Sequence, residues 1–168
     1  MIFVTVGTHE QQFNRLVEFM DKYAETHQDE EVVIQTGFST YEPKYATCSK
    51  LYPYKEMLEL VDKARIVITH GGPSSFIMPL QIGKIPIVVP RRHEFDEHVN
   101  NHQVAFCRTV AKRQKNIIVV EDCRKLEKVL QNYERIEEQM TNSLDSNNEK
   151  FCKEFGIILD RLVMGGKK

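Results

Sequence analysis

The chain has 168 residues, of which 41% are hydrophobic and 28% charged, and its formal net charge at pH 7 is −1. This length suits one globular domain with a single core. The balanced charge argues against the strongly basic surface that is typical of nucleic-acid-binding proteins. The four cysteines are widely spaced and form no CxxC pair, which argues against a zinc ribbon or a redox motif.

The N-terminal segment shows no signal for export or membrane insertion. It begins at once with an apolar run from Ile2 to Val6, which has no basic segment before it and is too short for a signal peptide. No stretch approaches the ~20 apolar residues that a membrane-spanning helix needs. We therefore expect a cytoplasmic protein that reaches a membrane only through a partner.

Apolar runs alternate with amphipathic segments along most of the chain, which predicts alternating strands and helices. The strand-like runs are rich in Val and Ile and barely alternate in polarity, as in a parallel sheet that is covered on both faces. In chain order the predicted elements are strand 2–6, helix 12–25, strand 32–34, short strand 47–51, helix 55–63, strand 66–69, a helix from Pro73 to about Gly83, strand 85–89, helix 97–111, strand 117–120 and a group of C-terminal helices interrupted by a polar link at 143–148.

This order predicts an α/β fold, a doubly wound, Rossmann-like parallel sheet of about five or six strands in one domain over residues 1–168. Ligands of such sheets bind outside the carboxyl ends of the strands. Four turns meet that condition, at residues 7–11, 35–37, 70–75 and 90–102. Gln35 and Gly37, in the second of these turns, are therefore candidate ligand contacts.

The most informative turn is Thr69-His70-Gly71-Gly72-Pro73-Ser74-Ser75, between a predicted strand and a predicted helix. Its two glycines let the backbone approach a ligand, and its proline suits the first position of a helix. The helix N-terminus offers free N–H groups and the positive end of a dipole, which suit a diphosphate, and the serines add hydroxyl donors. The same residues also fit an ordinary strand-to-helix turn in which the serines act as caps.

Thr8, His9 and Glu10 follow the first strand at the same edge of the predicted sheet. Thr8 can cap the next helix or donate to a phosphate. His9 carries an imidazole, which suits a general base, with Glu10 as its acid–base partner. The alternative is that His9 and Glu10 are solvated loop residues.

Segment 90–103 is unusually polar for a stretch that follows a buried strand. Arg91 and Arg92 present forked donors that suit phosphate. Further along, Asn101, His102 and Gln103 carry groups that can hydrogen-bond sugar hydroxyls. The segment is thus a candidate for donor binding, and a solvated charged loop is the alternative.

A metal site in this segment is a competing hypothesis. His98 and His102 are four residues apart and would share one face of the predicted helix, with acidic side chains nearby. The segment has no HExxH motif and no neighbouring cysteine. We therefore expect no metal.

These motifs in combination resemble the C-terminal, donor-binding domain of family 28 glycosyltransferases of the GT-B type. The matching segments are Val-Ile-Gln-Thr-Gly at 33–37, Tyr-Pro-Tyr-Lys-Glu-Met at 52–57, Thr-His-Gly-Gly at 69–72, Gly-Lys-Ile-Pro-Ile-Val-Val-Pro at 83–90 and Asn-His-Gln at 101–103. The start, Val-Thr-Val-Gly-Thr-His-Glu at 4–10, is similar to that of small stand-alone members. These members include bacterial capsular and exopolysaccharide transferase subunits and the catalytic subunit of the two-chain N-glycan N-acetylglucosaminyltransferase. The resemblance covers residues 1 to about 120.

The resemblance implies an inverting hexosyltransferase that takes a UDP-sugar donor, with galactose favoured, and needs no cofactor. It places the uracil at the backbone around Tyr54 and Met57, the diphosphate at residues 70–75 and the sugar at residues 101–103. Pro79 is a departure, because larger members carry a ribose-binding acid on this helix. We therefore expect the ribose to be held elsewhere.

A complete GT-B enzyme needs two facing domains, and this chain has residues for one. The resemblance therefore implies a separate, membrane-anchored partner subunit that holds a lipid-linked acceptor and keeps this chain at the inner face of the membrane. The helices from about residue 123 would dock on that partner through an apolar stripe of Phe151, Phe155, Ile158, Leu159 and Leu162. The alternative is that the stripe packs on its own sheet.

The expected reaction is a direct displacement at the anomeric carbon, with His9 or a residue of the partner removing the acceptor proton. Three other functions compete with this hypothesis. One is an accessory subunit that activates a partner transferase without catalysis. A sugar-nucleotide epimerase would need two domains, and a dinucleotide-dependent oxidoreductase would need the missing GxGxxG motif.

Overall fold

The computed structural model describes residues 1–140 and 153–158, and within these ranges six strands form one parallel sheet. The strands are β1 (Ile2–Thr5), β2 (Val32–Gln35), β3 (Thr47–Ser49), β4 (Ile66–His70), β5 (Ile87–Val89) and β6 (Ile118–Val119). Their order across the sheet is β3-β2-β1-β4-β5-β6, with parallel pairing throughout. The predicted Rossmann-like sheet is confirmed, including the short third strand.

Helices follow most of the strands. They are α1 (Asn14–Thr26), α2 (Tyr54–Lys63), α3 (Pro73–Gln81), α4 (His102–Gln114), α5 (Leu126–Gln131) and α6 (Tyr133–Glu137), with 3-10 turns at His93–Phe95 and Cys123–Lys125. Residues 153–158 are also helical. In the ranges that the structure describes, no helix has both the length and the apolar character to span a bilayer.

The C-terminal stripe can be compared with the structure only in part. Phe151, Leu159 and Leu162, together with the predicted link at 143–148, lie outside the described residues. Phe155 and Ile158 lie in the helical segment 153–158 and expose about half of their surface, 48% and 52%. Docking of this stripe on a partner stays a prediction.

The sheet is buried on both faces because successive residues of a strand point to opposite sides. In β1, Ile2 and Val4 join a core that Leu16 of α1 helps to form. Phe3, between them, joins a second core with Val61 of α2. None of these five side chains exposes more than 2% of its surface. Burial on both sides explains why the strand sequences are apolar without alternation.

The direction of the chain through the sheet changes next to β1. The chain runs outward from β1 through β2 to β3, then crosses to β4 on the other side of β1 and continues to β5 and β6. In the register of these two central strands, Thr5 lies beside Thr69. The loops after β1 and β4 therefore leave neighbouring strand ends in opposite directions, and a crevice opens between them.

Asp21 of α1 anchors the segment that leads into β3. Its fully buried carboxylate accepts hydrogen bonds from the N–H groups of Lys44, Tyr45 and Ala46, at 2.8–3.0 Å, and from the Tyr41 hydroxyl at 2.9 Å. Burial by itself raises the pKa of Asp21, but these donors outweigh it and hold that pKa below its ordinary value. The carboxylate therefore stabilises this segment in its ionised form.

Helix α4 begins five residues later than the predicted start at residue 97, at His102. Glu97 is fully buried, and its carboxylate accepts from Arg15 through Nε and Nη2 and from the backbone N–H of Arg92, each at 2.9 Å. Asp96 before it has a left-handed backbone, with φ of 56°. These contacts hold the segment as a turn against α1, so His98 precedes the helix and shares no helix face with His102.

Candidate functional site

A cavity of about 780 Å³ lies at the carboxyl ends of β1 and β4, where the chain direction changes. Its walls come from both strand ends, from the loop after β1, from α2 and α3 and from the segment that leads into α4. The lining residues are Thr5, Gly7, Thr8, His9, Glu10, Gln35, Tyr54, Met57, Val61, His70, Ser74, Ser75, Met78, His98 and Gln103. A volume of this size suits a small-molecule ligand.

His70, the last residue of β4, is enclosed by two glycines. A Cβ at Gly7 would lie 2.3 Å from Cε1 of the His70 ring, and a Cβ at Gly72 would lie 2.3 Å from its Nε2. Gly7 also has a φ of +75°, a conformation that favours glycine. The local sequence thus requires glycine on both sides of the ring, which fixes the imidazole in the cavity wall.

The His70 imidazole is neutral. Burial first, and then the nearby Arg91, His9 and His98, lower the pKa of His70 to about 3. Its Nδ1 is buried and has no hydrogen-bond partner in the structure. Buried polar atoms are nearly always paired in native proteins. An unpaired nitrogen in a cavity wall is therefore suited to a ligand.

The N-terminus of α3 stands next to His70. Pro73 occupies the first helical position, and Ser74 and Ser75 line the cavity. The first turn of a helix leaves N–H groups without intrahelical partners, and the helix dipole favours an anion there. In α3, Pro73 has no N–H and the Ser75 N–H donates to the Gly72 carbonyl oxygen at 3.1 Å, so the N–H of Ser74 is the donor of these three residues that a ligand can use. Pro79, further along α3, is buried and does not line the cavity, whereas Met78 does. Pro79 therefore makes no contribution to the cavity surface.

The loop after β1 brings His9 into a row of three histidines. The rings of His9 and His98 are stacked, with centroids 4.6 Å apart and planes at 13°. His98 in turn meets His102 edge to face at 4.5 Å. His9 Nε2 is 2.9 Å from Oε1 of Gln11. The hydrogen-bond partner of His9 is thus Gln11, whereas the sequence suggested Glu10.

Two glutamines of the cavity lining, Gln35 and Gln103, hydrogen-bond to neighbouring elements. Gln35 is buried, donates from Nε2 to the Thr5 hydroxyl at 3.1 Å and accepts the N–H of Tyr52 at 3.2 Å. Gln103 accepts the N–H of Arg91 at 3.1 Å. A Cβ at Gly71 would lie 2.9 Å from Oε1 of Gln103, so Gly71 allows α4 to pack closely on the turn after β4.

Arg91 is fully buried and has a different role from the phosphate contact that the sequence suggested. Its Nη1 donates to the carbonyl oxygens of Gln11, Gln12 and Glu97 at 2.8–3.1 Å, and its Nη2 donates to that of Val6 at 2.8 Å. Burial lowers the pKa of Arg91 to about 10, so it stays protonated at neutral pH. The guanidinium therefore joins the loop after β1 to the segment between β5 and α4.

Six further predicted contacts also lie off the cavity lining. Two of them, Gly71 and Gly72, make room for Gln103 and for the His70 ring as described above. Arg92 pairs with Glu94, and Asn101 accepts the N–H of His93 through Oδ1 at 2.8 Å. His102 contacts the side chain of Asn100 and reaches the cavity only through His98. Gly37 lines a neighbouring groove of about 530 Å³ with Phe38 and Lys50 among its walls. These residues border the cavity region without forming its surface.

Sequence reasoning missed several residues of the cavity: Thr5, Gly7, Val61, Met78 and His98. Thr5 and Val61 resemble ordinary core positions in the sequence, so no signal marked them. His98 was considered only as a metal ligand, and its spacing from His9 along the chain gives no hint of the stacked rings. Among the residues that the structure describes, no group of three or more His, Cys, Asp and Glu side chains is placed to hold a metal ion.

Comparison with known families identifies the chain. The family model of the glycosyltransferase family 28 C-terminal domain matches residues 1–160. The chain belongs to this family. The family 28 match covers all the described residues, the cavity included. No curated protein matches the chain.

Two solved glycosyltransferase structures are similar to this family 28 domain. The glycotransferase of kitacinnamycin has a TM-score of 0.58 and 17% identity over 82% of this chain. The glycosyltransferase SnogD from Streptomyces nogalater has a TM-score of 0.46 and 17% identity over 83% of it. The alignments span only 36% and 39% of those two chains. The first similarity supports the fold, and this family 28 domain spans little more than a third of that chain's length.

Proposed function

We propose that this family 28 domain binds the diphosphate of a UDP-sugar in the cavity between β1 and β4 and takes part in transfer of that sugar with inversion. The observation that carries the proposal is His70, a buried neutral imidazole with an unpaired Nδ1, enclosed by glycines beside the N-terminus of α3. The helix dipole, the N–H of Ser74 and the hydroxyls of Ser74 and Ser75 complete a cradle for phosphate oxygens. The family match supports the choice of a nucleotide sugar.

The two sides of the cavity differ in chemistry, and this difference orients the donor. On the α2 side, Met57 and Val61 offer an apolar wall, with the ring of Tyr54 at the rim. Tyr54 exposes 72% of its surface and is free to cover a base. On the other side, His9 and Gln103 offer polar groups. We assign the uracil to the first side and the sugar to the second.

His9 is the proposed base. Its Nε2 faces the side-chain oxygen Oε1 of Gln11, which only accepts hydrogen bonds, so Nε2 carries the proton that it donates and Nδ1 is left to receive another. The acceptor hydroxyl oxygen forms a bond to the anomeric carbon as its proton passes to Nδ1. The bond from that carbon to the diphosphate breaks, and its electron pair leaves with UDP. The α3 N-terminus stabilises the departing charge.

The acceptor side of the reaction is assigned to a partner. This domain aligns with little more than a third of the solved glycosyltransferases that it resembles. Phe95 and Val99 expose 44% and 68% of their surfaces, and both lie in the loop that carries His98. Exposed apolar side chains beside a cavity fit a contact with another domain. The proposed partner is membrane-anchored and holds a lipid-linked acceptor, which receives galactose from the donor at the cytoplasmic face of the membrane.

Nucleotide binding is the first test of the donor assignment. Calorimetric titration of the purified chain with UDP, GDP and ADP should give binding of UDP alone. Equal affinity for the three nucleotides would contradict the uracil assignment on the α2 side and leave only a diphosphate site. An absence of binding by all three, with and without the partner, would contradict the proposed function.

Replacement of His9 tests the catalytic assignment. With membranes that carry the partner and UDP-galactose as donor, His9→Ala should lower turnover by about 10²–10⁴-fold, the range for loss of a general base. UDP affinity should stay close to that of the unmodified chain, because the ring is not the main phosphate contact. His27→Ala, at the distant end of α1, is the matched control. Unchanged turnover in His9→Ala would assign the base to the partner, and UDP binding without turnover in any acceptor membrane would favour an accessory subunit.

A further inference from the structure

The cavity contains little fixed positive charge for a ligand that carries two phosphates. Of the residues that the structure places on its lining, none is a lysine or an arginine. Arg91 is near, but its Nη atoms are committed to four backbone carbonyls. Arg92 pairs with Glu94 instead. The α3 N-terminus supplies only a fraction of one positive charge, so another group must offset the remaining negative charge of the diphosphate.

The groups on the lining whose ordinary pKa lies close to physiological pH are histidines. His70 is neutral, with a pKa of about 3, and stays neutral at any pH near physiological. His9 and His98 remain, with their rings stacked at 4.6 Å, and His102 meets His98 edge to face at 4.5 Å. His98 is therefore the central member of the row and also faces the cavity. Its Nδ1 has only a long 3.5 Å contact with the N–H of Asn100, so a proton at that nitrogen displaces little.

We propose that His98 takes up a proton when the donor diphosphate binds and then serves as the cationic ligand of the phosphates. The inference rests on the proposed function of the cavity and adds to it a titratable residue. One charge on the row disfavours a second at such short ring separations. With the charge on His98, a second charge on His9 is disfavoured, and His9 keeps its proposed role as base.

The surroundings of His98 explain why the proton arrives with the ligand. The ionisable groups around it are His9, Glu10, His70, Arg91, Glu97 and His102. Glu97 is already paired with Arg15, and Glu10 is an exposed carboxylate on the cavity lining. Burial first, and then His102, His9 and Arg91, lower the pKa of His98 below its ordinary value. A bound dianion acts in the opposite direction and raises that pKa.

The consequence is a proton-linked affinity. Because the pKa of His98 is higher in the complex than in the free protein, the affinity should rise as pH falls through that interval. Above the pKa of the complex, pH should have no effect through this residue. UDP-galactose is the suitable probe, since both of its phosphates are esterified and its charge is constant from pH 5.5 to 8.

Calorimetry in buffers of different ionisation enthalpy (PIPES, MES and imidazole) measures the proton uptake directly. We expect uptake of up to about one proton per ligand near pH 6.5, and affinity about tenfold weaker at pH 8 than at pH 6.5. His98→Gln and His98→Phe should both abolish the uptake and bind about tenfold more weakly at pH 6.5. His98→Phe keeps a ring against His9, so it separates loss of the proton from loss of the stack. His27→Phe, outside the cavity, should keep the uptake.

The possible failures are distinguishable. Tight binding of UDP-galactose by the unmodified chain without proton uptake would overturn the role of His98 and leave the proposed function standing. Uptake that persists in folded His98→Phe, checked by its unchanged thermal transition, would also overturn it. Absence of binding by the unmodified chain at every pH would overturn the proposed function together with this inference.

Discussion

At the scale of single residues, the position of the His70 ring requires glycine at positions 7 and 72, because a side chain at either would meet the ring. Gly72 has an ordinary extended backbone, with φ of −79° and ψ of 129°, so alanine is acceptable there for the main chain itself. The obstacle is the ring, which a Cβ would approach to 2.3 Å. Because His70 is buried, the ring has little room to move away.

Gly72→Ala should therefore weaken UDP binding more than it destabilises the fold. We expect a loss of affinity of at least about tenfold from displacement of the imidazole, and a loss of about 1–3 kcal/mol in the free energy of unfolding from overpacking. Calorimetry and urea denaturation measure the two effects.

Gly83→Ala is the matched control for this variant. No atom lies within 4 Å of a Cβ at Gly83, but its φ of +79° is unfavourable for alanine. It should cost about 1–2 kcal/mol of stability and leave the UDP affinity unchanged. Normal affinity in Gly72→Ala would show that the ring position has no part in binding.

Arg91→Lys distinguishes a structural arginine from a phosphate ligand, because it keeps the positive charge and removes the fork of donors. Lysine cannot satisfy four carbonyl oxygens that lie around two separate nitrogens. We expect the free energy of unfolding to fall by about 2–4 kcal/mol, measured by urea denaturation, with Arg113→Lys on the exposed end of α4 as control. Normal stability with loss of UDP binding would instead favour the phosphate contact that the sequence suggested.

At the scale of elements, the strands were predictable and the polar turn before α4 was not. Uninterrupted Val and Ile runs reveal burial on both faces, so the predicted strand ends agree with the structure within about two residues. Residues 97–101 carry no such signal. Glu97 is a residue type that is common in the first turn of a helix. Its buried ion pair with Arg15, 82 positions away in the sequence, holds it in a turn instead. A contact between such distant positions leaves no trace in local periodicity.

Asp21 shows how one carboxylate stabilises a whole segment, and its contribution has a definite pH dependence. The folded pKa lies below the ordinary value of about 3.9, so the stabilisation is fully present above pH ~4 and disappears as pH falls through the folded pKa. Asp21→Asn should cost about 2–4 kcal/mol at pH 7, because the amide oxygen accepts more weakly than a carboxylate.

Urea denaturation of Asp21→Asn and of the unmodified chain between pH 7 and pH 3 checks this dependence. The difference between the two in the free energy of unfolding should shrink below pH ~4. Asp29→Asn, at an exposed position just after α1, should show little change at any pH. A difference that stays constant down to pH 3 would contradict the ionised anchor.

At the scale of the whole molecule, the order of the strands determines where the site lies. Sequence patterns predicted that glycine turns would meet at one edge of the sheet, and the structure shows that the turns after β1 and β4 do so. The exact membership of the cavity was not accessible in this way, because Arg91 and His98 lie in one polar segment and only packing separates the buried residue from the lining residue. Charge and hydrogen-bonding capacity identify candidates, and burial selects among them.

The central claim is that a uridine diphosphate sugar binds between β1 and β4, and amide chemical shifts during titration with UDP test it most directly. The account predicts that the signals of Thr8, His70 and Ser74 shift with one dissociation constant. Signals on the opposite side of the domain, such as that of Tyr133, should stay in place. Shifts confined to the 530 Å³ groove around Phe38 and Lys50, or no shifts at saturating UDP, would contradict it.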